Sequence, residues 1–130
     1  MITELHVLAL AALLQMVQFG LFSVAANLQV GPRTAMAPRD TPIELTGAAG
    51  RLQRAMNNHF EGLILFTIAV LVVTLGDKSS ALTEACAHTY LIARIAYVPA
   101  YVNGWVPWRS IIWFAGFLAT ALMLITALIS

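Results

Sequence analysis

Charged side chains are scarce in this sequence. Only 7 basic and 6 acidic residues occur among 130, so 10% of the chain is charged, whereas 60% is hydrophobic. A soluble globular protein carries about 25% charged residues, so the composition excludes that class. The formal net charge of +1 gives no indication that the protein binds nucleic acid.

Cysteine is almost absent as well. The single cysteine, Cys86, cannot form an internal disulfide, so cysteine usage does not reveal a redox compartment. A basic segment and a small-residue cleavage site are both missing around the first apolar run, so we expect this run to be a retained membrane span rather than a signal peptide. The length predicts one domain over residues 1–130.

Four apolar runs predict an all-α membrane protein, a four-transmembrane-helix bundle. A bilayer core of about 30 Å requires about 20 helical residues. The predicted spans are about 5–28, 51–75, 81–103 and 109–129. The third is the most polar, because it carries Glu84, His88 and Arg94. A proline-rich loop is expected between the first two spans, and tight antiparallel connections are expected between the others.

Basic residues near the span ends predict the orientation. The first loop, the start of the second span and the third loop carry five arginines: Arg33, Arg39, Arg51, Arg54 and Arg109. The opposite side carries only Lys78. The positive-inside rule then places the first and third loops in the cytoplasm and both termini outside it. In a bacterium this orientation corresponds to an integral protein of the inner membrane.

Two polar stripes cross the predicted spans. The second span has Arg51, Arg54, Asn58 and Glu61 at i, i+3, i+7 and i+10. The third span has Tyr90, Arg94, Tyr97 and Tyr101 at i, i+4, i+7 and i+11. Each spacing places its four side chains on one helix face. A charge at the bilayer centre costs about 2.5–3.5 kcal/mol, so we expect the stripes to face each other, a neighbouring subunit or a water-filled pocket.

The stripes allow two interpretations. Buried ion pairs that involve Arg54, Glu61 and Arg94 could fix the register of the helices. The charge balance favours a ligand site instead, because four arginines (51, 54, 94 and 109) accompany one carboxylate, Glu61. A positively charged pocket rimmed with tyrosines is suited to an anionic ligand that also forms hydrogen bonds.

Three segments resemble the MAPEG family, the membrane-associated proteins in eicosanoid and glutathione metabolism. The segments are "RLQRAMNNHFE" (51–61), "ARIAYVPAY" (93–101) and "PWRS" (107–110). They are similar to the family patterns R-x-x-R-A-x-x-N-x-x-E and A-R-x-x-Y-x-x-x-Y and to the arginine that opens the fourth helix. The resemblance covers essentially the whole chain and suggests a bacterial-type member. It implies a homotrimer that binds glutathione at each subunit interface, open to the cytoplasmic side.

The resemblance also implies roles for individual residues. The residues expected to hold glutathione are Arg51, Arg54, Asn58, Glu61, Arg94, Tyr97 and Tyr101. Among them, Glu61 is expected to take the α-ammonium group, and Arg51, Arg94 and Tyr97 are expected to meet the carboxylates. Arg109 matches the arginine that holds the thiol as a thiolate, which makes it the expected catalytic residue. A guanidinium can do so because it lowers the pKa of a nearby thiol from about 8.5 towards neutrality.

The implied activity is that of a glutathione-dependent transferase or peroxidase that acts on lipophilic electrophiles, with glutathione as co-substrate. A non-catalytic lipid- or partner-binding protein of the same fold is the alternative, because the family includes the lipoxygenase-activating protein and fold does not secure activity. A proton-coupled exporter is disfavoured, since it requires a deep acidic residue and the first span has none.

Several other polar residues have simpler interpretations. His59 points about 100° away from Asn58, so we expect an interfacial or helix-packing histidine. Glu84 and His88 are spaced i, i+4 but lack a third ligand, so no metal site is predicted. Trp113 lies near the cytoplasmic boundary together with two other tryptophans, as in an aromatic belt.

Overall fold

The computed structural model describes residues 1–38, 40 and 44–130, and within them all regular structure is helical. The helices are α1 (Thr3–Val30), α2 (Pro32–Met36), α3 (Gly47–Leu75), α4 (Ala81–Val102) and α5 (Trp108–Ile129). The four long helices lie at the predicted spans, and the all-α prediction is confirmed. The short helix α2 lies within the predicted first loop. Arg39, which contributed to the predicted orientation, lies outside the described residues.

Three of the long helices, α1, α3 and α5, are long and apolar enough to cross a membrane. The protein is therefore an integral membrane protein. The more polar helix α4 is not among these three, so its membrane crossing stays a prediction.

Helices α3 and α4 occupy the centre of the packing arrangement. Each contacts the other as well as α1 and α5, whereas α1 and α5 do not contact each other within the described residues. In the core, the ring of Phe66 on α3 stacks on that of Tyr90 on α4, with centroids 4.0 Å apart and an interplanar angle of 7°. Helix α5 packs on α4 at Gly116, where an added Cβ would lie 3.6 Å from the Ala93 Cβ, an ordinary contact distance.

Specific contacts set the ends of the helices near the site. Helix α1 ends at Gly31, whose φ of 86° favours glycine. The side-chain amide of Gln29 then pairs with the backbone of Thr46, since its Nε2 donates to the Thr46 oxygen and its Oε1 accepts from the Thr46 nitrogen, both at 2.9 Å. Helix α3 begins directly afterwards at Gly47, about one turn before the predicted start. Gln29 therefore ties the end of α1 to the beginning of α3.

A buried carboxyl group joins three segments at the opposite end of the helices. Glu4 is fully buried, and its Oε2 accepts hydrogen bonds from Ser79 Oγ at 2.6 Å and Thr83 Oγ1 at 2.8 Å. Thr83 also completes a capping box with Ser80 at the start of α4. These contacts connect the start of α1 to the α3–α4 connection, far along the helices from the arginines of the predicted site.

Candidate functional site

The two polar stripes meet at the end of α4. Arg54 Nε on α3 donates a hydrogen bond to the Tyr101 hydroxyl at 3.0 Å, and Arg51 Nη1 donates to the Val102 carbonyl at 2.9 Å. The guanidinium carbon of Arg109 on α5 lies 5.2 Å from the centre of the Tyr101 ring, within the range of a cation–π contact. Tyr101 therefore joins residues from α3, α4 and α5.

Arg94 is the most deeply buried of the stripe arginines. Only 3% of its surface is exposed, and its guanidinium carbon lies 4.5 Å from the centre of the Tyr97 ring. Its Nε and Nη2 atoms are buried and have no hydrogen-bond partner among the described residues. Leaving charged donors buried and unpaired is costly, so these two donors are suited to an anionic group.

A cavity of about 530 Å³, here called the polar cavity because most of its lining residues carry polar groups, opens between α3, α4 and α5. The residues that line it are Asn58, Tyr97, Tyr101, Arg109, Ser110, Trp113 and Phe114. Four of the predicted site residues are thus brought together around one space: Asn58, Tyr97, Tyr101 and Arg109. The wall combines a guanidinium with hydroxyl and amide groups, which fits an anionic ligand that also accepts and donates hydrogen bonds.

A second cavity of about 270 Å³ adjoins the first along α5, and most of its wall is apolar. Its polar lining consists of Asn58, Glu61, Tyr90, Arg94 and Thr120, and its apolar lining includes Leu65, Trp113, Phe117 and Leu124. The two cavities share Asn58 and Trp113. A polar space thus lies directly beside an apolar one, with the Asn58 amide and the Trp113 indole between them.

The buried hydroxyl and amide groups at this boundary lack partners in the described part of the chain. Asn58 Oδ1 and the Tyr90 hydroxyl are buried without a hydrogen bond, as are the two nitrogens of Arg94. Native proteins rarely leave such groups unsatisfied unless water or a ligand occupies the site. The unpaired atoms therefore mark the wall between Asn58 and Arg94 as a place where a polar ligand group fits.

The predicted site residues do not all line a cavity. Arg51 and Arg54 line neither of the two, and both are engaged with the end of α4 instead. Glu61 lines the apolar cavity and is exposed. The structure offers no support for the alternative of buried ion pairs, because Arg54 and Glu61 are both exposed and two nitrogens of Arg94 have no partner in the described residues.

The sequence did not reveal every residue near the site. Trp113, expected in an aromatic belt, also lines both cavities and stacks on Phe117 with ring centroids 5.3 Å apart. His59 is fully buried, as the helix-packing interpretation predicts. Its partners Gln15 and Gln18 on α1 were not recognised, and their only sequence signal is the i, i+3 spacing of two amides in an apolar span.

Metal-ligating side chains do not cluster within residues 1–38, 40 and 44–130. No group of three or more His, Cys, Asp or Glu side chains is placed to hold a metal ion there. His88 Nδ1 instead lies 3.0 Å from the backbone oxygen of Glu84 on the preceding turn.

These features define a class of protein, an integral membrane protein of apolar helices with an arginine- and tyrosine-lined cavity at the helix ends. The MAPEG family model matches residues 5–129, nearly the whole chain, so the protein belongs to the MAPEG family. No curated protein and no solved structure matches the chain. Family membership confirms the resemblance of the three segments and supports a role in glutathione or eicosanoid metabolism.

Proposed function

We propose that the protein is a glutathione-dependent transferase or peroxidase that acts on lipophilic electrophiles within the membrane. The observation that carries this proposal is the pair of adjoining cavities that share Asn58 and Trp113. The polar cavity contains Arg109 and, together with Arg94 and Glu61 across the shared boundary, is suited to the charged peptide. The apolar cavity continues along α5 and is suited to a molecule that dissolves in lipid.

The groups present fit the chemistry of glutathione. The peptide has two carboxylates, one α-ammonium group and a thiol. Its carboxylates suit Arg51, Arg94 and Tyr97, whose guanidinium and hydroxyl groups donate hydrogen bonds to carboxylates. Glu61, the one carboxylate of the two stripes, suits the α-ammonium group. The residues proposed to complete the binding set are Arg54, Asn58 and Tyr101.

Arg109 is the proposed catalytic residue. Its guanidinium lies in the wall of the polar cavity, next to Trp113 and the boundary with the apolar cavity. There it would stabilise the thiolate over the thiol, and the thiolate is the nucleophilic form. In a conjugation reaction the sulfur forms a bond to the electrophilic carbon, and the leaving group departs with the electron pair of the bond that breaks. The thiol proton is released to solvent.

The proposal includes an assembly and an orientation. Helix α4 crosses the bilayer with the other three long helices and completes a four-helix bundle, because it packs against all of them. Three copies form a homotrimer, and the glutathione sites lie between subunits. The arginines at the ends of α3 and α5 face the cytoplasm, so that both termini lie outside it, in a bacterial inner membrane.

Conjugation of glutathione to an apolar aryl halide by the purified protein tests this activity. We expect Arg109→Ala to lower kcat at least about 100-fold, which corresponds to losing about 2.7 kcal/mol of transition-state stabilisation. Arg109→Lys should retain part of the rate. The control is Arg33→Ala, since Arg33 is an exposed arginine on α2, outside both cavities. Unchanged turnover in folded Arg109→Ala protein would disprove the proposed role.

A non-catalytic lipid-binding protein is the second candidate, and the apolar cavity favours it. The wall of the apolar cavity extends from Leu65 to Leu124 and would accept an acyl chain when no thiol is bound. This candidate predicts lipid binding whose affinity does not change with glutathione, and it predicts no conjugation. Equilibrium binding of a fluorescent fatty acid, with and without glutathione, separates the two candidates.

A further inference from the structure

A polar cluster lies between α1 and α3, and neither cavity includes it. Its members are Gln15 and Gln18 of α1 and His59 of α3, here called the glutamine–histidine cluster. His59 is fully buried and Gln18 is 2% exposed. Buried polar groups between membrane helices are uncommon and specify how the helices pack, so this cluster requires an explanation that the proposed chemistry does not provide.

The contacts of the cluster fix α3 at two successive points. Gln15 Oε1 lies 2.8 Å from His59 Nδ1, and Gln15 Nε2 donates to the Met56 carbonyl at 3.3 Å. Gln18 Nε2 lies 3.0 Å from the same His59 nitrogen. Gln15 therefore contacts α3 at residues 56 and 59, almost one helical turn apart. Two amides of α1 therefore lie at a single ring nitrogen of α3, which donates to Gln15 Oε1 in one tautomer and accepts from Gln18 Nε2 in the other.

These contacts determine which way α3 presents its ligand-facing residues. Asn58 precedes His59 in the sequence, and about 100° of helix rotation separates their side chains. When His59 is held against α1, Asn58 faces the space between α4 and α5, where it lines both cavities. Glu61 and Gly62 line the same space from the next turn of α3. A rotation of α3 about its axis would displace all three.

We propose that Gln15, Gln18 and His59 are positioning residues for the thiol site, which set the rotation of α3 so that Asn58 meets the bound peptide. This inference rests on the proposed function, because the peptide is the glutathione of that proposal. The cluster acts through Asn58 and does not touch the ligand. Misplacement of a contacting group by about 1 Å can cost up to about 100-fold in rate, so a modest rotation has a measurable effect.

A double-mutant cycle on the full-length protein tests the proposal. Gln15→Leu and Gln18→Leu together remove the amides while retaining apolar volume. We expect this double variant, here called the leucine pair, to weaken glutathione binding about tenfold in the wild-type background and less than about twofold in an Asn58→Ala background. Non-additivity of this kind identifies residues that act through one another. Equal losses in both backgrounds, or no loss in either, would overturn the proposal.

Thr83→Val is the matched control for a general loss of stability. It removes buried hydrogen bonds to Glu4 and Ser80 at the opposite end of the helices. We expect its glutathione affinity to stay within about twofold of the wild type. If Thr83→Val weakens binding as strongly as the leucine pair, the effect of the pair is general destabilisation and the proposal fails.

A second readout does not depend on glutathione. In a Cys86→Ala background, Asn58→Cys places a single thiol in the wall of both cavities. We expect the leucine pair to change the rate at which a water-soluble maleimide labels this thiol by about fivefold or more. If the wild type binds no glutathione, the proposed function fails, and the labelling rate alone decides the inference. A changed rate then supports the positioning role, and an unchanged rate overturns it.

Discussion

Arg94 lies with its guanidinium carbon 4.5 Å from the centre of the Tyr97 ring, one turn further along α4. The ring covers one side of a cation that is almost fully buried. Tyr97 lines the polar cavity and Arg94 lines the apolar one, so the pair stands at the boundary between the two spaces. The buried donors Nε and Nη2 of Arg94 have no partner in the part of the chain that the structure describes.

Replacing Arg94 should weaken glutathione binding without lowering the stability of the fold. We expect Arg94→Met to weaken glutathione binding by about 10- to 100-fold, the value of one hydrogen bond to a charged group. The free energy of unfolding should stay the same or rise, because an uncompensated buried charge costs several kcal/mol. Calorimetric titration and unfolding in SDS measure the two effects. Strong destabilisation together with unchanged binding would show that Arg94 is only structural.

Tyr101 makes two contacts that substitutions can separate. Tyr101→Phe removes the hydroxyl that accepts from Arg54 Nε at 3.0 Å and retains the ring next to Arg109. We expect its KM for glutathione to rise about fivefold while kcat stays within about twofold, since about 1 kcal/mol of hydrogen bonding is lost. Tyr101→Leu should lower kcat as well, because Arg109 loses its aromatic contact. Identical kinetics in the two variants would contradict this division of roles.

The apolar cavity should select electrophiles by size. Ala121 lines that cavity and not the polar one, so Ala121→Phe fills part of the apolar space alone. We expect kcat/KM for a bulky electrophile to fall at least about tenfold, while a small electrophile changes less than about threefold, since close-packed walls tolerate little added volume. Glutathione affinity should not change. An equal fall in kcat/KM for both electrophiles would show that the electrophile does not bind in the apolar cavity.

The network around Glu4 should contribute to stability and not to activity. Thr83→Val removes its hydrogen bond to the buried carboxyl and half of the capping box of α4. We expect the free energy of unfolding to fall by about 1–3 kcal/mol, the cost of leaving a buried polar group unsatisfied. Unfolding in SDS measures this change, and the conjugation rate serves as the control. A loss of rate in protein that remains folded would connect this end of the helices to the site.

The sequence predicted the helices well because the length of an apolar run is a local property of the chain. The last residue of α3, Leu75, and the first residue of α4, Ala81, agree with the predicted spans, because Gly76 terminates α3 and Ser80 caps α4. The start of α3 at Gly47 was missed, because it follows from the distant pairing of Gln29 with Thr46. Helix α2 was missed as well, although Pro32 occupies a favourable position for a first turn.

The sequence predicted those features of the site that depend only on which residues share one face of a helix. The spacing of Asn58 and Glu61 placed them on one face, and both line a cavity. The contact of Gln18 with His59 and the position of Trp113 between two cavities depend on how separate helices pack. Neither a glutamine nor a tryptophan in an apolar span indicates its partner, so the sequence alone did not reveal these roles.

Calorimetric titration of the purified protein with glutathione tests the central claim most directly. We expect saturable binding at one site per subunit, which Arg54→Ala and Arg94→Ala each weaken at least about tenfold and which the Arg33→Ala control retains. An absence of binding to intact wild-type protein would contradict the account, and the apolar cavity would then be tested as a lipid site.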